Sequence, residues 1–118
     1  MAIPSGSGTE VLKRAYKHEN NGVWADLITG AANHIYTILS IIFQEQAGDD
    51  EQIRIRVDVN AAGSNEICIF GSGEVNLPAN STFVFSDKLV LTGTDKLQIY
   101  TSAGNVDIYV SYIDQDFS

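Results

Sequence analysis

The chain has 118 residues, 44% of them hydrophobic and 19% charged, with seven bases against fifteen acids for a formal net charge of −8. That length fits one domain with its own core, and the composition is too apolar for a disordered chain. The negative field repels phosphate backbones, which argues against nucleic acid, and a single cysteine, Cys68, excludes an internal disulfide and a cysteine-based zinc cage.

Residues 1–9 are small and polar around Pro4, with neither the basic nor the apolar region of a signal peptide, and are expected to form a flexible arm. Residues 10–17 read as an edge strand or a short helix, 18–22 as a turn, and 23–28 as a strand. Ile35–Phe43 is apolar on both faces and rich in β-branched and aromatic residues, so a central strand is expected; nine residues are too few to cross a membrane. Gln52–Val59 alternates strictly, with Ile53, Ile55, Val57 and Val59 on one face and charges on the other, the pattern of a half-buried strand. Shorter strands are expected at 66–70, 82–85, 88–91 and 96–100. Asn105–Tyr112 alternates again, with Val106, Ile108 and Val110 inward.

Glycine, asparagine and aspartate punctuate the intervals at 47–50, 61–65, 77–80, 92–95 and 102–105, as hairpin turns require. Seven strands from residue 35 onward, at short regular spacing and without a helical stretch, predict an all-β fold: an antiparallel β-sandwich, jelly-roll-like, with an extended N-terminal arm. Residues 1–34 then form the arm and a short β segment, and 35–118 the sandwich body, within one structural domain.

Catalytic signals are weak. No G-x-S-x-G elbow is present, and His18 and His34 read as surface or packing residues, so no catalytic residue is assigned and an enzyme is not expected. Gly6-Ser7-Gly8 and Gly71-Ser72-Gly73 lack the third glycine and the lysine of phosphate-binding loops. Asp49-Asp50-Glu51 invites comparison with a calcium site, but the ligand spacing is missing and a solvated acidic turn is the simpler reading. Asp114 and Asp116 read as solubilising tail charge. Neither metal nor cofactor is expected.

Two residue sets remain as candidate contacts. Trp24, Tyr100 and Tyr109 are aromatic enough to stack on a sugar, with packing as the plainer alternative. Lys13, Arg14 and Lys17 are opposite in sign to residues 45–118, which hold twelve acids and four bases. With Ile3, Val11, Leu12 and Tyr16 they make an arm suited to an acidic protein surface, a second copy of this chain included.

The run Ile35–Phe43, the alternating strand after it, Leu77–Phe85, Leu89–Ile99 and Val106–Ile113 together resemble the small β-sandwich structural proteins of tailed bacteriophages. The opening Met1–Leu12 is similar to the start of virion proteins from phages of aquatic bacteria. The resemblance implies a capsid decoration (cement) protein that stabilises the assembled head, or else a tail, neck or fibre-adaptor protein. It implies the major capsid protein or other virion proteins as partners, a homo-oligomer with a trimer favoured, and no membrane. It places the protein on the outer surface of the virion after synthesis in the host cytoplasm. A carbohydrate-binding module is the competing class.

Overall fold

The alternation along Gln52–Val59 becomes, in a computed structural model that describes residues 9–71 and 75–118, one strand of a two-layered β fold. The strands are β1 (Thr9–Asn21), β2 (Trp24–Thr29), β3 (His34–Glu45), β4 (Glu51–Asp58), β5 (Glu66–Phe70), β6 (Asn76–Leu77), β7 (Thr82–Phe85), β8 (Leu89–Thr92), β9 (Lys96–Thr101) and β10 (Ala103–Asp116). A 3-10 turn, Val59–Ala61, follows β4.

The chain runs out through β1–β4 and returns through β5–β10, and each outgoing strand pairs antiparallel with its returning counterpart: β1 with β10, β2 with β9, β3 with β7 and β8, β4 with β5 and β6. This long hairpin rolls up because β10 also pairs with β3, and β9 with β4. The result is two five-stranded sheets in jelly-roll order, β1-β10-β3-β7/β8 and β2-β9-β4-β5/β6. The expected antiparallel sandwich is therefore present.

The core lies between the layers. The first sheet contributes Tyr36, Ile38, Ile41, Phe43, Leu91, Val106, Ile108 and Val110; the second contributes Leu27, Ile28, Ile53, Ile55, Val57, Leu77, Leu97 and Ile99. β3 is the expected central strand, and a bulge at Leu39, opposite the Ser111–Tyr112 step, keeps Ile38 and Ile41 on the same inner face.

In the N-terminal third the edge-strand reading of residues 10–17 and the strand expected at 23–28 both form. The residues from Thr9 onward are therefore sheet and not arm: β1 pairs with β10 along almost its whole length, continuing through the expected turn at 18–22 to Asn21. Glu10, Lys13 and His18 of β1 find Gln115, Asp114 and Asp107 on β10, far away in sequence, and Gly22, at φ 60°, makes the reversal. Residues 9–29 thus supply an edge strand to each sheet. Ile3 lies outside the described residues.

One glycine fixes how the end of the sandwich closes. The Gly30 amide donates to the Asp95 carbonyl at 2.9 Å, and a Cβ there would meet the Gly93 carbonyl oxygen at 2.2 Å and that of Asp95 at 2.6 Å. Backbone cannot yield as a flexible side chain does, so Gly30→Ala is expected to cost about 1–3 kcal/mol. Urea unfolding checks this as a lower midpoint at unchanged slope.

Candidate functional site

The two outer faces of the sandwich differ in character, because register decides which side chains stand side by side. On the second sheet the row Asp26–Gln98–Arg56 is polar and internally bonded: Gln98 donates to Asp26 at 2.8 Å, Arg56 to Gln98 at 2.7 Å, and Lys96 pairs with Asp26 at 3.2 Å. Beside it Trp24 packs on Tyr100 at 5.6 Å, and the Arg56 and Arg54 guanidiniums lie 4.0 and 5.0 Å from the Trp24 ring centre. Stacked cations cover the indole.

The first sheet presents five rows across β1, β10, β3 and the β7/β8 pair. Opposed residues in an antiparallel pair share a face, so the register gives Glu10–Gln115–Ile35–Thr92, then Leu12–Ile113–Thr37–Val90, then Arg14–Ser111–Ser40. The fourth row is Tyr16–Tyr109–Ile42–Val84 and the fifth is His18–Asp107–Gln44–Thr82. The outermost rows are closed by side-chain hydrogen bonds: Gln115 to Glu10 at 2.9 Å, His18 with Asp107 at 2.5 Å, and Thr82 to Gln44.

The second and fourth rows are apolar and uncovered. Leu12 is 71% exposed, Tyr16 60%, Val90 55% and Val84 50%. Tyr109 and the bulged Leu39 are exposed as well, so six of the nine large exposed hydrophobic residues among those described sit on this one face. A concentration of that kind marks an interaction surface. Between the apolar rows the Arg14 guanidinium lies 5.6 Å from the Tyr16 ring centre and 6.0 Å from that of Tyr109. Two shallow depressions, 420 and 320 Å³, flank it, sharing Arg14 and Tyr109 as walls.

The candidate contacts from the sequence therefore part company. Leu12, Arg14, Tyr16 and Tyr109 come together on the outer face of the first sheet. Val11, Lys13 and Lys17 occupy the alternate positions of β1, whose opposed partners on β10 point inward. Lys13 is bound to Asp114 at 2.8 Å. Trp24 and Tyr100 lie on the second sheet, away from Tyr109, so the three aromatics form no common sugar platform.

Asp114 corrects the expectation of a solubilising tail. It is buried, and it also meets His34 Nδ1 at 2.7 Å, while His34 stacks on Tyr36. Burial pushes the Asp114 carboxyl up, but the Lys13 and His34 bonds together outweigh it and hold the group below its ordinary value. The pair fastens β1 to β10 and β3, and so holds the edge of the candidate face.

Asp49-Asp50-Glu51 does not converge on a cation. Glu51 is buried and accepts from the Ser102 hydroxyl at 2.5 Å, while Asp50 accepts from the Ala79 amide at 2.9 Å. Among the described residues no group of three metal-ligating side chains comes together. Glu45, which the sequence reading passed over, is the carboxylate with the densest set of partners: the amides of Ala47, Gly48, Asp49 and Asn80 all donate to it.

No protein-family model matches the chain, and no curated protein matches it by sequence. Its fold is similar to that of a chain from the disulfide-linked pili of Bacillus endospore appendages, at 13% identity and a TM-score of 0.57, covering 100% of this chain and 97% of that one. It is also similar to a chain of the infectious bursal disease virus VP2 subviral particle, at 13% identity and a TM-score of 0.56, covering 94% of this chain and 34% of that one. A chain of the Gx strain of that virus gives 12% identity, a TM-score of 0.57 and coverages of 95% and 34%. This chain thus spans about a third of the viral chains it resembles. At such identities the likeness is one of fold.

Proposed function

We propose that this chain is a non-enzymatic structural subunit of a bacteriophage virion, a capsid decoration protein that binds the assembled head and resists its expansion. The observation that carries the reading is the uncovered pair of apolar rows on the first sheet, set on a jelly roll whose other face has a bonded polar row and an indole covered by arginines. Such a molecule is finished as a fold and unfinished as a surface. Support comes also from the company of the fold, since the similar solved structures belong to a pilus and to virus particles. Binding the assembled shell and not its expanded alternative stabilises the shell by linkage.

The partners in this reading are the major capsid protein and further copies of this chain, at the outer surface of the particle. Quantitative mass spectrometry of purified particles tests it. A decoration protein is expected at on the order of hundreds of copies per particle, as a closed symmetric shell requires. A tail, neck or fibre-adaptor subunit would be present at about six to a few dozen. Absence from purified particles would overturn the structural reading itself.

A further inference from the structure

We infer that the outer face of the first sheet is the contact between two copies of this chain, joined face to face about a two-fold axis. The inference rests on the reading of the chain as an assembling subunit, and it names a pair where the sequence resemblance implied a trimer.

Self-complementarity singles out a second copy. The five rows run polar, apolar, polar, apolar, polar, so the pattern is symmetric about the Arg14–Ser111–Ser40 row. A two-fold operation maps a surface onto itself, which is the demand an isologous interface makes. Turned about an axis along the strands, Leu12 of one copy lies over Val90 of the other, and Tyr16 over Val84. Turned about an axis across the strands, the Leu12 row lies over the Tyr16 row. In both arrangements apolar rows meet apolar rows, and Ser40 and Ser111 sit at the centre, with the bulged Leu39 beside them adding exposed apolar surface there.

Charge favours the same occupant. Glu10, Asp107, Arg14 and His18 are the only acidic or basic residues in the five rows, so two of the fifteen acids lie here. Asp107 is already paired with His18. Two copies of a chain with net charge −8 repel each other, and a face that holds only two of the acids, one of them paired, adds little to that repulsion. Area suffices too: four strands about 4.8 Å apart and nine residues of β1 at about 3.4 Å each give about 600 Å² per copy, and the pair reaches the about 1,200 Å² of specific interfaces.

Sedimentation velocity on the full chain, over a concentration series, tests the pairing. The wild-type protein is expected to be a dimer at micromolar concentration. Leu12→Glu and Val84→Glu, at opposite corners of the face and on exposed positions, are each expected to weaken the dimer at least about 100-fold, since each buries a carboxylate against an apolar row. Unchanged circular dichroism and melting temperature show that the variants are folded. A monomeric wild-type protein, or folded variants that dimerise as wild type does, would overturn the pairing. Should both variants unfold, hydroxyl-radical footprinting of the wild-type chain decides: protection of Tyr16 and Tyr109 that grows with concentration supports the pair, and unchanged reactivity overturns it. Particle composition is read separately, so a failed pairing leaves the virion reading standing, and absence from particles is distinguishable from a lost dimer.

Discussion

Phe43→Ala is expected to destabilise the fold by about 3–5 kcal/mol, the cost of losing a large buried aromatic and leaving part of its volume empty. Phe43 is fully buried on the inner face of β3 and lies 6.2 Å, centre to centre, from Phe83 of β7. Phe83 in turn stacks at 4.7 Å on Phe70 of β5, in the opposite sheet. The three rings bridge the two layers beneath the Ile42–Val84 part of the exposed row. Thermal unfolding by circular dichroism is expected to show a midpoint about 15–25 °C lower. A loss below about 5 °C would mean that the neighbouring rings refill the space, and that the bridge matters less than its position suggests.

Glu45→Ala is the second large effect, expected to lower the melting midpoint on the order of 10 °C. The side chain is 1% exposed and receives four backbone amides, at 2.7 Å from Ala47 and from Asn80, 2.9 Å from Gly48 and 3.3 Å from Asp49. It therefore ties the β3–β4 turn to the loop that feeds β7, and sets where Thr82 and Val84 stand. The Asn80 amide, more than any other contact, holds the carboxyl below the ordinary 4.5, aided by Asp49, Ala47 and Gly48 and opposed by burial. Because the folded state favours the ionised form, the contribution is complete above about pH 4.5 and is lost as pH falls through the lower folded value. Glu45→Gln should flatten this part of the acid limb in a series of melts from pH 3 to pH 7. A variant that melts and titrates like wild type would show that the turn is held by its backbone alone.

Strands with one buried face were legible because alternation is a local property. Ile53, Ile55 and Val57, like Val106, Ile108 and Val110, announce both their conformation and their inward side without reference to the rest of the chain. β1 resisted the same reading because its inward positions include Lys13, Lys17 and Glu19, and its ordering depends on β10. The Lys13–Asp114 bond joins residues 101 positions apart, and nothing local foretells it. The same distance turned Asp114 from an apparent tail charge into a buried anchor.

The candidate face was half visible. Leu12, Arg14 and Tyr16 stood out as apolar or basic residues near the start of the chain, and Tyr109 as an aromatic on a wet face. Their assembly with Ile42, Val84 and Val90 follows from strand order and register, which single residues do not encode. Glu45 did carry a local signal. A glutamate ending an apolar strand, followed within four residues by Ala47, Gly48 and Asp49, is placed to collect the amides of its own turn.

The central claim is that this chain acts by burying one face of its sandwich in a virus particle. Near-atomic imaging of purified particles tests it most directly. The expected result is jelly-roll density at repeated sites on the particle surface, with the Leu12 and Tyr16 rows covered by a neighbouring chain. Particles that lack this density, or that carry it with those rows facing solvent, would contradict the account.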